Sequence, residues 1–497
     1  MVSPSLKVGS IAIEEGGEAE RNRAHRYGSL RFSERKMLLA ALDLLLLNGA
    51  FWVALSVRSG LGDPMQSNWG QVGWFTVLSL VWLVCAMVIG CYDLACAGSA
   101  LRSVWRAGVA VIATWVLYLL MPYITPDLPS SRLGALFFPC LAFLSIGLWR
   151  VTYATFFVRP HLQQRALVVG AGAAGAALAQ TLREMAEING RRDGTVGYQI
   201  VGFTDDDSEK LGQTVEGIAV LGNRHDLVRL AEQLRPHEIV VAITFLEKMH
   251  SDLFDAIQEC RELGISITTM PALYTRLTGR VPIEHAGRAL DVAIPLDESS
   301  EHRFYLLFRR LMDVGAGLLG CTLLALVIPF VWLANRFSDP GPLFFAQERV
   351  GRGGRLFCVL KFRSMIVDAE KHSGAVWAEE NDPRITPIGR FLRATRLDEV
   401  PQFWNVLRGD MSLIGPRPER PHFVAQLAKE IPFYRARHAV KPGLTGWAQV
   451  RYRYGASVED SLIKLQYDLF YIKNQGVLLD MEILLKTIGV VLGFKGR

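Results

Sequence analysis

The chain has 497 residues, half of them hydrophobic and only 21% charged, with a mean hydropathy of +0.22. Such a length exceeds one ordinary core and points to about three units, while the apolar excess excludes a plain soluble enzyme. The net charge is +6, and its early surplus sits in Arg21, Arg23, Arg26, Arg31, Arg35 and Lys36, ahead of the first apolar run. That placement is a topology signal and not a nucleic-acid patch.

Residues 1–36 form this basic tail. The first apolar run begins near residue 37 with no small-residue cleavage site before it, so no removable signal peptide is expected. Four runs, 37–57, 74–92, 107–123 and 133–151, approach the roughly 20 apolar residues that a membrane span needs. Their only charges are Asp43 and Arg150. Arg102 and Arg106 follow the second run and Arg159 and Arg165 the fourth, while the other loops are nearly neutral. The positive-inside rule therefore predicts a four-helix transmembrane bundle over 37–157 with both ends cytoplasmic. Buried core helices would not need four nearly uncharged runs with alternating flanks. Seven cysteines, Cys85, Cys91, Cys96, Cys140, Cys260, Cys321 and Cys358, show no metal or disulfide spacing and read as packing residues.

Over 158–300 the pattern changes to short β-branched runs, 166–169, 200–203, 218–221, 239–243 and 265–269, separated by helical stretches. This predicts a Rossmann-like α/β domain with a parallel sheet. Gly170, Gly172 and Gly175 follow the first run as G-x-G-x-x-G and open an alanine-rich helix, a place where a pyrophosphate can approach backbone N–H groups. The acidic cluster Asp205 to Asp207 lies about 30 residues past Gly175, where about 20 is usual. No Tyr-x-x-x-Lys is present, and the only lysines are Lys210 and Lys248. Two readings stay open: a nucleotide-binding module using the three glycines and Asp205, or a fold that keeps the glycines for close packing.

The final segment, 301–497, opens on Arg309 and Arg310 and an apolar run at 314–333 containing Pro329. Proline removes a helix hydrogen bond and clashes with the carbonyl of Ala325, so a kink is expected. Basic residues on both sides, with Arg336, Arg349 and Arg352 following, suggest a helix that enters and returns to the same face; a fifth ordinary span is the alternative by length. Beyond it lie Lys361-Phe362-Arg363-Ser364-Met365, a stretch with Arg393, Asp398 and Glu399, and Gly415-Pro416-Arg417-Pro418. Phosphoryl transfer needs cations for a diphosphate, a carboxylate for a divalent metal, and a nucleophile or base. Lys361, Arg363, Arg393 and Arg417 are candidate cations, with Arg349 added from the preceding stretch, and Asp398 and Glu399 are the candidate carboxylates. Taken alone, Thr395 with Asp398 also fits a helix capping box, and Gly415 to Pro418 also fits a plain turn.

From about residue 304 to 497 the chain resembles the bacterial polyprenyl-phosphate sugar phosphotransferases that begin exopolysaccharide and lipid-linked glycan assembly. The strings that carry it are KFRSM at 361, RATRLDEVPQFWNVLRGDMSLIGPRPE at 393 and KPGLTGWAQV at 441. The resemblance implies a mainly α monotopic domain with a re-entrant helix, fed by a UDP-hexose, glucose or galactose first. Undecaprenyl phosphate would be the acceptor and UMP the leaving group. It further implies Asp398 as a nucleophile forming a covalent phosphosugar, Glu399 with Asp398 as ligands of Mg2+, and Lys361, Arg393 and Arg417 as phosphate-holding cations. The implied location is the bacterial inner membrane with the catalytic part facing the cytoplasm. A homo-oligomer and downstream glycosyltransferases are admissible partners; nucleic acid is not. Arg396 departs from the small polar residue that many relatives carry before Leu397. Two other classes compete: a membrane-anchored sugar-nucleotide oxidoreductase or epimerase, disfavoured by the missing Tyr-x-x-x-Lys, and a polymer flippase, disfavoured by the near absence of charges in the apolar runs.

Overall fold

A computed structural model describes residues 32–58, 69–92, 99–121, 132–157, 164–188, 198–244, 249–285, 302–338, 340–367, 369, 382–452, 455 and 457–492. Most of the basic tail, with Arg159, Cys96 and Lys248, lies outside these residues. The chain forms two compact units, one of residues 1–243 and 247–268, the other of 244–246 and 269–497.

In the first unit four helices, α1 (Phe32–Arg58), α2 (Trp69–Ile89), α3 (Ala100–Leu119) and α4 (Arg132–Thr152), are each long and apolar enough to cross a membrane. With the helix at 302–338 they make five such helices among the described residues, which marks a membrane protein. The four pack around a shared core in which the Phe51 ring meets Phe75, Tyr118 and Phe138 edge-on at 5.1–5.7 Å. The two intramembrane charges meet: Arg150 on α4 donates to Asp43 on α1, and both are fully buried. Arg150 also donates to the Cys91 carbonyl at 2.8 Å and lies over the Tyr92 ring. A charge in hydrocarbon survives by such pairing. Of the cysteines, Cys85, Cys91 and Cys260 are buried, but Cys140 and Cys358 are exposed, so the packing role expected of all seven does not hold for these two.

A six-stranded sheet follows, β1 (Gln164–Val169), β2 (Tyr198–Thr204), β3 (Thr214–Val215), β4 (Ile218–Gly222), β5 (Glu238–Val241) and β6 (Ser266–Thr269), in the order β3-β4-β2-β1-β5-β6. β1 runs parallel to β2 and β5, and β2 to β4, while the short β3 is antiparallel to β4. Ala166 to Val169 are all buried, as an apolar strand covered on both faces should be. Helices α5 (Ala173–Ile188), α6 (Leu227–Leu234) and α7 (Ser251–Glu262) make the α part.

The second unit begins with α8 (Met270–Thr278), earlier in the chain than the boundary near residue 300 expected from pattern. Its tail joins the hydrophobic core of this unit: Trp447 donates to the Gly279 carbonyl at 3.0 Å, and Val281 and Ile283 are buried beside Trp447, Leu465 and Tyr467. Then come α9 (His302–Ser338), the antiparallel pair β7 (Phe344–Val350) and β8 (Leu356–Phe362), and α10 (Pro387–Ala394). These are followed by α11 (Gln402–Arg408), β9 (Ser412–Ile414), α12 (Pro421–Glu430) and β10 (Gly443–Thr445), with β9 and β10 parallel. Helices α13 (Trp447–Arg451), α14 (Val458–Lys473) and α15 (Val477–Leu492) end the fold. α15 turns Asp480 and Ile483 inward and leaves Leu478 exposed, the two-faced helix that its sequence suggests.

The run expected at 314–333 is part of a much longer helix. α9 is helical on both sides of Pro329 for 37 residues. One face is fastened to the rest of its unit along nearly the whole length. Near its start Arg309 donates to Ser412 Oγ at 3.1 Å and to the Ile414 carbonyl, and Asp313 accepts from Ser412 Oγ at 2.9 Å and Leu413 N–H at 2.7 Å. In the middle Gly320 lies so close to Phe403 that a Cβ would stand 2.0 Å from the ring. Near its end Asn335 accepts from Arg363 at 2.6 Å. The other face presents Leu318, Leu319, Leu326 and Phe330, all exposed.

Candidate active site

The turn that carries both carboxylates is made by an unusual backbone. α10 ends at Ala394, and Arg396 adopts a left-handed conformation, φ 58° and ψ 15°, that swings the chain into a single 3-10 turn, Leu397–Glu399. Left-handed backbone is costly for a side chain with a Cβ and concentrates where a site needs it. The capping-box alternative fails here. Thr395 Oγ1 donates back into α10, to the Phe391 and Leu392 carbonyls at 2.8 and 3.2 Å, and Asp398 caps no helix.

The two adjacent carboxylates have different surroundings. Glu399 Oε1 accepts from Arg417 Nη2 at 2.6 Å and from Lys361 Nζ at 3.1 Å. Burial would raise its pKa, but Arg417 and Lys361 outweigh burial and hold it well below the usual carboxylate range. Asp398 is 8% exposed, and its carboxylate makes no hydrogen bond among the described residues. Burial, then the neighbouring Glu399 charge, push it above the usual range against the pull of Lys361, Arg417 and Arg393. One carboxylate is thus clamped and charged; its neighbour is unclamped in a field of three cations.

Each partner is held from behind. Lys361 stands on β8, paired across the hairpin with Phe345. Asn405 on α11 accepts from Leu360 N–H at 3.0 Å and donates to the Cys358 carbonyl at 2.8 Å, fixing α11 to that strand. Arg417 rides on the Gly415 to Pro418 loop, whose close approach to the next strand leaves no room for a side chain: a Cβ on Gly415 would stand 2.4 Å from the Lys441 carbonyl. Two arginines, Arg437 buried and Arg349 half-buried, tie down that loop by its carbonyls. Arg437 donates to Arg417 O at 3.1 Å, and Arg349 donates to Pro418 O at 3.1 Å. Arg437 is neutralised by Asp468 at 2.8 Å and also donates to Tyr434 Oη at 2.8 Å.

Of the cations read from sequence, Lys361 and Arg417 converge on the dyad and Arg393 contributes its field to Asp398. Arg349 and Arg363 are placed otherwise. Arg349 also donates to Gln347 at 2.6 Å, and burial brings its pKa down to about 10. Arg363 is buried against the Pro342 carbonyl and Asn335, where it secures the end of α9. Arg437, Asp468 and Asn405 were not singled out from sequence, and no spacing signal marks them, since their partners lie 20 to 47 residues away.

A family profile described as bacterial sugar transferase matches residues 304–494, the stretch that holds all of these groups. A second, described as a CoA-binding domain, matches 87–271. The UDP-glucose:undecaprenyl-phosphate glucose-1-phosphate transferase of Escherichia coli (strain K12) is 33% identical over 352 residues, 68% of this chain and 69% of that protein. The chain belongs to the bacterial sugar transferase family. Another relative, the UDP-N-acetylgalactosamine-undecaprenyl-phosphate N-acetylgalactosaminephosphotransferase of Aeromonas hydrophila, is 42% identical over 243 residues, 48% of this chain and 56% of that protein. The UDP-galactose-lipid carrier transferase of Erwinia amylovora is 35% identical over 318 residues, 60% of this chain and 63% of that protein. The chain thus spans between about half and two thirds of the length of these sugar transferases.

Magnesium takes oxygen ligands, keeps several waters and commonly uses one or two carboxylates together with substrate phosphates. Asp398 and Glu399 supply that donor set. Among the described residues no three His, Cys, Asp or Glu side chains cluster.

In the first unit, Gly170 has φ 108°, and a Cβ on Gly175 would stand 2.2 Å from the Gly170 carbonyl oxygen. Gly172 has nothing within 4 Å. Asp205, at the end of β2, accepts from Ala171 N–H at 2.7 Å and Asp207 N–H at 2.9 Å, with Lys210 at 3.4 Å. The fold therefore brings Asp205 to the glycine loop despite the long sequence spacing.

Proposed function

We propose that the chain transfers hexose 1-phosphate from a UDP-hexose to undecaprenyl phosphate and releases UMP. The observation that carries this is the division within the dyad: Asp398 unclamped, Glu399 held charged by Lys361 and Arg417. An Asp398 carboxylate oxygen attacks the sugar-bearing phosphorus, and the bond from that phosphorus to the bridging oxygen breaks with UMP leaving. The acceptor's phosphate oxygen then attacks the same phosphorus, its bond to Asp398 breaks, and the carboxylate returns. Lys361, Arg393 and Arg417 offset the charge of the incoming diphosphate, which otherwise repels a carboxylate. Mg2+, held by Asp398 and Glu399 when bound, would neutralise further phosphate charge. By name the relatives use UDP-glucose, UDP-galactose or UDP-N-acetylgalactosamine, so the donor class is a UDP-hexose, with or without an N-acetyl group.

The membrane arrangement follows from α9. Its contacts with one polar unit extend from Tyr305, bonded to Asp480, to Asn335, bonded to Arg363. Thirty residues of helix measure about 45 Å along the axis, more than the roughly 30 Å of hydrocarbon. A crossing helix would drag that polar unit through lipid, so α9 dips in and stays on one side. The exposed row of Leu318, Leu319, Leu326 and Phe330 then faces acyl chains. With α1 to α4 as a transmembrane bundle whose ends are cytoplasmic, the dyad faces the cytoplasm of the inner membrane, where nucleotide sugars are found.

The deciding experiment is single-turnover incubation with a panel of radiolabelled UDP-sugars without acceptor. The wild type should retain label on protein and release UMP in equal amount, and Asp398→Asn should do neither while staying folded, a loss of at least about 10³-fold. Label retained by the variant would sink the nucleophile assignment.

A further inference from the structure

At the C-terminal end of α11 two cations of α9 and the β10 approach stand together. Arg310 collars the helix end, donating to the Val406 and Leu407 carbonyls at 3.3 and 3.1 Å. Beyond them the chain turns at Gly409, φ 97°. The point that a Cβ on Gly409 would occupy lies 3.5 Å from Lys441 Nζ and 3.7 Å from Arg310 Nη1, so both cations face the same spot. Lys441 is half-buried and makes no hydrogen bond or ion pair from its side chain among the described residues. The nearby acids are engaged elsewhere: Asp313 Oδ1 accepts from Ser412 and Leu413, and Asp410 faces Arg408 at 3.5 Å. Burial, then the Arg310 charge, lower the Lys441 pKa against the pull of Asp313.

The surroundings state which anion. Leu306 and Leu307, four and three residues before Arg310 on α9, are both exposed. A ligand here has a phosphate at one end and apolar chains at the other. It is also not the reacting phosphate. The seven residues of α11 separate this spot from the turn carrying Asp398 and Glu399, and a helix of that length measures about 10 Å. A phosphate held at Gly409 is out of reach of Asp398.

We propose that Arg310 and Lys441 hold the phosphate of an anionic membrane phospholipid, seating this end of α9 at headgroup level. The test needs binding alone, so it is independent of the transfer reaction. Full-length protein, delipidated in an uncharged detergent, is titrated with short-chain phosphatidylglycerol or phosphatidylcholine, with bound lipid counted by native mass spectrometry. The wild type should prefer phosphatidylglycerol, and Lys441→Gln should reduce that preference about fivefold, the effect of one cation near a membrane surface. Arg310→Lys, which keeps the charge if the collar of α11 loosens, should retain most of it. An unchanged preference in Lys441→Gln overturns the proposal. So does a Lys441→Gln protein that keeps its phosphatidylglycerol preference but loses binding of undecaprenyl phosphate added in a third titration, because the spot would then belong to the acceptor.

Discussion

Two glycine-containing loops in this chain use their backbone polar groups in opposite ways. In the Gly170 to Gly175 loop the backbone is the donor, and Asp205 already occupies Ala171 N–H. In the Gly415 to Pro418 loop the backbone supplies acceptors, and Arg437 and Arg349 satisfy them from behind, leaving the Arg417 guanidinium to reach forward to Glu399. A glycine-rich pattern therefore does not by itself define an open phosphate site. What decides is which polar groups the fold has already paired.

The largest effect should come from removing the rear support of the second loop. Arg437→Gln leaves Asp468 buried without its cation, and breaking one partner of a buried pair typically costs about 3–5 kcal/mol. Thermal denaturation should show that loss. Arg437→Lys, which keeps a charge for Asp468 but not the geometry for the Arg417 carbonyl, should remain folded and show a raised KM for the UDP-sugar. A lysine variant with wild-type KM would mean that the loop holds its shape unaided.

Much of this second unit was legible in the sequence. Asp398, Glu399, Lys361 and Arg417 could be named because they stand in the strings that carry the family resemblance, KFRSM and RATRLDEVPQFWNVLRGDMSLIGPRPE. The long apolar runs were legible for a simpler reason: about 20 uncharged residues have few alternatives to a membrane. Arg437 was not legible, since pattern cannot separate a buried, neutralised arginine from a solvated one. Arg363, read among the phosphate cations, donates to Asn335 at the end of α9, a contact that no sequence pattern announces. Pro329, read as a kink, lies within a helix that continues on both sides of it, packed there by Val327, Ile328 and Val331. The start of the second unit at α8 was hidden too, being set by contacts with Trp447 that lie 168 residues away.

The first loop allows a cleaner separation of its two readings. Gly175→Ala should destabilise the protein by a few kcal/mol, since its new methyl meets a backbone carbonyl at 2.2 Å that cannot step aside. Gly172→Ala meets nothing within 4 Å and should alter stability by less than about 0.5 kcal/mol. Titration of both variants with nucleotides completes the test: binding lost in Gly172→Ala favours the nucleotide module, and binding absent even in the wild type favours glycines kept for packing.

The smallest effect concerns pH. In the proposed mechanism transfer requires Asp398 ionised, and its raised pKa should place the acid limb of kcat/KM above the ordinary value of about 4. Arg393 is one of the charges pulling that pKa down, so Arg393→Gln should move the limb to higher pH by a fraction of a unit while lowering the plateau. A limb that stays in place would remove Arg393 from the field of the nucleophile.

The pairing of Asp43 with Arg150 also has a temporal side. The two residues lie 107 positions apart, the acid on the first helix to be made and the base on the fourth. An unpaired carboxylate inside a span costs up to about 2.5–3.5 kcal/mol on insertion scales, a cost that α1 carries until α4 emerges. The four helices therefore mature as one set, and the last of them is what makes the first one stable.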